Sequence, residues 1–78
     1  MTTLEKVSAI MKEVKPTKNL EQIFDIVEGG YIDSFELMSL IATLSEEFSI
    51  DISIDEIVPE NFNSLDAMAK MVETLMNK

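Results

Sequence analysis

The chain has 78 residues, a net charge of -9, and no cysteine, histidine, tryptophan or arginine. These absences exclude disulfides and thiolate metal sites, and they remove the commonest general base and metal ligand. Between Lys18 and Lys70 every charged side chain is acidic, so the surface repels nucleic-acid backbones and anionic lipid and attracts proteins with lysine or arginine patches.

The size predicts one domain over residues 1–78, held by apolar packing alone, with 46% hydrophobic residues to supply it. Glu5, Lys6, Lys12 and Glu13 interrupt the N-terminal stretch, so no apolar signal core is expected there. No run reaches membrane-spanning length. The expectation is a cytoplasmic, monomeric protein with no membrane insertion and no nucleic-acid partner.

In chain order, residues 4–15 read as an amphipathic helix with Leu4, Val7, Ile10, Met11 and Val14 on one face. Thr2 or Thr3 caps its start and Pro16 ends it. Thr17 to Asp33 is longer than an ordinary connection. Leu20, Ile23, Phe24, Ile26 and Val27 predict that it packs onto the core, with a helical turn near Leu20–Phe24. Gly29-Gly30 punctuates its end.

The second helix is predicted over Ser34–Phe48. Asp33 suits its N-cap, Glu36 completes a capping-box spacing, and Ile32 with Leu37 has the spacing of a hydrophobic staple. Leu37, Leu40, Ile41, Leu44 and Phe48 form its inward stripe. "FSIDISID" (residues 48–55) alternates like a strand but has no partner strand. It reads instead as an extended connection burying Ile50, Ile52 and Ile54, with a short helical turn over Asp55–Val58 before Pro59. A last helix starts at Asn63 or Ser64 and buries Leu65, Met68, Ala69, Val72, Leu75 and Met76. The fold class is all-α: a small bundle of three main helices plus one short helix, with a long loop between the first two.

The outer side of the second helix carries Phe35, Ser39, Ala42 and Glu46, flanked by Met38. A solvent-facing side is normally more charged, so this strip is a candidate docking surface. The bland alternative is that Phe35 folds under the long loop and completes the core. Ser34 begins the same helix. It has no base beside it for catalysis, but the unpaired N–H groups of a helix start favour a phosphate, so Ser34 suits modification by another enzyme. The bland alternative here is that Asp-Ser merely caps a helix. Asp51, Ser53 and Asp55 alternate as in a calcium loop, but Glu56 stands where that loop needs glycine and Phe62 where it needs glutamate. No metal site is expected.

The stretch "IDSFELMSLIATLSEEF" (Ile32–Phe48) resembles the Asp-Ser-Leu motif and recognition helix of the acyl carrier and peptidyl carrier proteins. Size, acidity, element order and the later "FNSLDAMAKMVETL" extend the resemblance over nearly the whole chain. It implies an acyl-carrier-like bundle in which Ser34 carries 4'-phosphopantetheine, drawn from coenzyme A and installed with magnesium by a phosphopantetheinyl transferase. Asp33 is then the motif's acid as well as the helix cap. The arm's thiol holds acyl or aminoacyl groups as thioesters, and the protein shuttles them between ligases or synthases with basic patches without being an enzyme itself. Phe35, Met38, Ser39, Ala42 and Glu46 become the partner surface.

Phe35 replaces the family's usual leucine, Ser39 stands where fatty-acid carriers commonly have glutamate, and Tyr31-Ile32 precedes the aspartate. Fatty-acid, D-alanyl and secondary-metabolite pathways therefore all stay open. So does a cofactor-free acidic helical protein–protein interaction domain. Met11, Met68, Met71 and Met76 suggest an interior able to reshape around a chain, or one in which methionine simply fills gaps.

Overall fold

The computed structural model describes residues 1–78. It contains helices α1 (Thr3–Val14), α2 (Ser34–Phe48), α3 (Pro59–Phe62) and α4 (Leu65–Met76), a 3₁₀ turn over Ile54–Glu56, and no strand. The helix starts follow from their caps. The Thr2 hydroxyl accepts the Glu5 N–H at 3.1 Å, and the Glu5 carboxylate accepts the Thr2 N–H at 2.7 Å. Lys15 then ends α1 just before Pro16, whose missing N–H forbids continuation. Ser64, not Asn63, caps α4 by accepting the Ala67 N–H at 3.0 Å.

α1 packs against both α2 and α4, and α3 lies against α4. The core is wholly apolar, and every buried polar side-chain atom has a partner. Val7, Ile10 and Met11 enter it from α1, Leu40 and Leu44 from α2, and Leu65, Met68, Ala69, Met71 and Val72 from α4. Leu4 and Met76, expected inside, lie in the terminal turns of α1 and α4 and are exposed. Three of the four methionines expected in the interior, Met11, Met68 and Met71, are buried there.

The loop between α1 and α2 packs down through Leu20, Ile26 and Ile32. No helix forms over Leu20–Phe24. A single turn does, with the Ile23 N–H donating to the Leu20 carbonyl at 3.2 Å, and Phe24 is 65% exposed. The loop is fastened from across the molecule by Asn63. Its carbonyl accepts the Ile26 N–H at 2.9 Å, and its side-chain oxygen accepts the N–H groups of Val27 and Glu28 at 3.0 and 3.1 Å. Its amide donates to Glu28 at 2.7 Å. The bend into α2 needs both glycines. A Cβ on Gly29 would sit 2.6 Å from the Asp25 carbonyl oxygen, and Gly30 has φ +74°.

The later connection differs. Ile52 is buried and Ile50 partly so, but Ile54 is 83% exposed, because the 3₁₀ turn rotates it out of the alternation that would have buried it. Pro59 opens a helix here rather than closing one. It occupies the first position of α3, where its missing N–H costs nothing.

Candidate functional site

Ser34 is the first residue of α2, and its placement is fixed by a reciprocal cap. The Asp33 carboxylate accepts the Glu36 N–H at 2.8 Å, while the Glu36 carboxylate accepts the Asp33 N–H at 2.9 Å. The first carbonyl-to-N–H bond of the helix runs from Asp33 to Leu37 at 2.9 Å. The N–H groups of Ser34 and Phe35 are therefore left without intrahelical acceptors, which is the arrangement that suits a phosphate oxygen. The Ser34 side chain is exposed, and its hydroxyl is not used in the cap. Beside it lies a groove of about 290 Å³ lined by Val27, Ile32, Asp33, Ser34 and Leu37. Val27 and Leu37 continue into a smaller, almost wholly apolar recess of about 160 Å³ with Ile57, Val58, Pro59 and Phe62.

The other residues singled out from the sequence lie together on one side of α2. Phe35 is 87% exposed and Met38 63%, and Ser39, Ala42 and Glu46 are exposed with them at helical spacing. Phe35 does not fold under the loop. Glu36 is the one charged residue between Ser34 and Thr43, and it is engaged by Lys15, whose Nζ lies 3.1 Å from its carboxylate. The strip beside Ser34 is thus uncharged from Phe35 to Ala42, mostly apolar with Ser39 its one polar side chain, and meets its first charge at Glu46. No cluster of acidic side chains is placed to hold a metal ion, and no helix is long and apolar enough to cross a membrane.

Two contributors were not legible in the sequence. Asn63, weighed there as a cap for α4, turns instead to fasten the loop that delivers Asp33. Lys15, at the end of α1, reaches across to Glu36. Nothing in their spacing signals these roles, because both partners lie far away in the chain. A further hollow of about 510 Å³, between α1 and the start of α4, is lined by Met1, Leu4, Ser8, Lys12 and their neighbours and contains none of the residues singled out above.

The site is thus an exposed serine at the start of the second helix of an acidic bundle, beside a largely apolar outer strip. A comparison with protein-family models matches residues 5–72 to the phosphopantetheine attachment site family. The chain belongs to that family, that of the acyl and peptidyl carrier proteins, whose domain bears covalent 4'-phosphopantetheine. No curated protein sequence matches the chain.

Proposed function

We propose that residues 1–78 form a single carrier domain in which Ser34 is the attachment residue. The observation that carries this reading is an exposed serine hydroxyl, unused by the cap, next to two unpaired N–H groups at a helix start. In the attachment step, Ser34 Oγ attacks the phosphorus that joins pantetheine to coenzyme A. That phosphorus is the one bonded to pantetheine within the coenzyme A pyrophosphate; the new bond to Ser34 Oγ replaces its bridging P–O bond, adenosine 3',5'-bisphosphate leaves, and the hydroxyl proton passes to a base on the transferase. Asp33 sets the helix start, and the N–H groups of Ser34 and Phe35 face the incoming phosphate charge. The bound arm supplies a thiol that holds acyl or aminoacyl groups as thioesters.

The protein then acts as a cytoplasmic monomer that carries cargo between enzymes of a fatty-acid, D-alanyl or secondary-metabolite pathway and catalyses nothing itself. Phe35, Met38, Ser39, Ala42 and Glu46 form the surface met by the transferase and by ligases or synthases. The net charge of -9 draws basic partners in, chiefly by raising the encounter rate, while the apolar strip supplies the buried contact.

Incubation with a promiscuous transferase, coenzyme A and magnesium tests this. The wild-type chain gains the mass of one phosphopantetheine and Ser34→Ala gains none. An adduct on neither protein supports a cofactor-free interaction domain. Phe35→Asp slows modification while leaving thermal stability near wild type, since the ring is exposed. An equal loss of both would assign Phe35 to packing.

A further inference from the structure

Two helix starts in this molecule use a full reciprocal cap: Thr2 with Glu5 and Asp33 with Glu36. At the second of them the glutamate is also held in an ion pair with another helix. Lys15 Nζ lies 3.1 Å from one oxygen of Glu36 and 3.3 Å from the other, and the latter also accepts the Asp33 N–H. The pair is shielded, with side chains only 28% and 24% exposed, whereas the molecule's other ion pair, Lys12–Glu21, is open to water at 65% and 42%. Shielding from water and salt makes such a contact worth more than an exposed one.

Lys15 is well placed to act as a brace. It is the C-cap of α1, its own N–H donates to the Met11 carbonyl at 2.8 Å, and Pro16 follows it, so its side chain springs from a fixed point. The same corner of the chain touches the segment on the other side of the serine, where Lys18 Nζ lies 5.3 Å from the centre of the Tyr31 ring. Lys15 at the end of α1 and Lys18 in the loop that follows thus reach residues on either side of Ser34 in the chain.

We propose that Lys15 is a positioning residue for the modification of Ser34. By holding the Glu36 carboxylate, it fixes the Asp33 N–H and so the register in which α2 begins and presents the hydroxyl. This rests on the reading of Ser34 as the attachment residue. Lys15 does not touch the incoming coenzyme A. Small displacements of a nucleophile cost rate at the chemical step rather than affinity for the docking face.

The test is the steady-state kinetics of phosphopantetheine transfer from coenzyme A by one promiscuous transferase, with the apo-protein as varied substrate and every variant fully folded. Lys15→Met lowers kcat by about two- to fivefold with little change in KM, the scale of one partly shielded ion pair. It also speeds amide hydrogen exchange at Asp33 while leaving the slowest-exchanging core amides unchanged. Lys15→Arg restores both readouts. Lys12→Met, which removes the same charge and the other ion pair, changes neither. If Lys15→Met is modified at the wild-type kcat, if the loss falls on KM, or if Lys12→Met matches it, the positioning role is overturned while the attachment reading stands. If the wild type gains no arm, or Ser34→Ala gains one, the attachment reading fails and takes the positioning role with it.

Discussion

The two irregular connections of this bundle are held in opposite ways. The long one, between α1 and α2, has no helix or strand of its own, yet it buries Leu20, Ile26 and Ile32 and is fastened by Asn63 from the far side of the molecule. The shorter one, between α2 and α3, buries Ile52 but exposes Ile54 and Ile57, and its turn is closed by local bonds among Ser53, Ile54, Glu56 and Ile57. Length and lack of regular structure therefore do not decide rigidity here. Burial and long-range hydrogen bonding do. The long connection leads directly into Asp33 and Ser34, while Ile57 and Val58 of the shorter one line the apolar recess beyond Leu37.

The contrast is sharpest in two isoleucines. Ile26→Ala, at a wholly buried position in the long loop, costs about 2–5 kcal/mol, as for other core truncations. Ile54→Ala stays within about 0.5 kcal/mol of wild type. Chemical denaturation of the two variants measures this, and equal losses would break the comparison. Next in size, Asn63→Ala removes three side-chain hydrogen bonds to the loop. It lowers stability by roughly 2 kcal/mol, or about 8–16 °C in Tm for a chain of this size. Exchange of the Val27 and Glu28 amides accelerates most.

A smaller effect, of opposite sign, is expected at the end of α2. Ser49 closes that helix with φ 52°, in the left-handed region where a side chain is strained. Ser49→Gly raises stability by up to about 1 kcal/mol, read as a higher denaturation midpoint at unchanged slope. The smallest effect concerns pH. The Ser53 hydroxyl donates to Glu56 at 2.6 Å and holds that carboxyl below its ordinary range, opposed by desolvation and assisted by the Ser53 N–H and Lys78. Because the folded form binds its proton less readily than the unfolded one, the contribution is complete above the ordinary glutamate range. It is lost as pH falls through the depressed value. Ser53→Ala is therefore slightly less stable than wild type at neutral pH, and the difference closes in acid. A gap that widens in acid would contradict this.

The start of α2 was legible to the residue, because the cap, its reciprocal glutamate and the hydrophobic pattern of Leu37, Leu40, Ile41 and Leu44 all agree on one boundary. Exposure of the Phe35 strip was legible as one of two options, since helical spacing gives the face of a residue but not what covers it. The alternation of "FSIDISID" forms no strand, as the lack of a partner predicts, but only residues 50–53 are an irregular connection, since Phe48 ends α2 and Ile54 begins the 3₁₀ turn. Period alone does not say where the chain turns away, and the 3₁₀ turn put Ile54 in water. Phe24 misled for a similar reason. An apolar residue in an irregular loop has no periodicity to orient it, and this one faces out. Asn63 and Lys15 could not be found from sequence because each acts on a partner brought close only by the finished packing.

The chain has no cysteine, so a thiol-specific alkylating reagent leaves the bare polypeptide unmarked. The most direct measurement is intact mass of the protein purified from cells and after enzymatic priming, with and without that reagent, alongside Ser34→Ala. The expected result is one phosphopantetheine per chain, one alkyl group added to it in the wild type, and neither on Ser34→Ala. A chain that stays bare after priming, or an adduct of the same size on Ser34→Ala, would contradict the assignment of Ser34 as the point where the arm is joined.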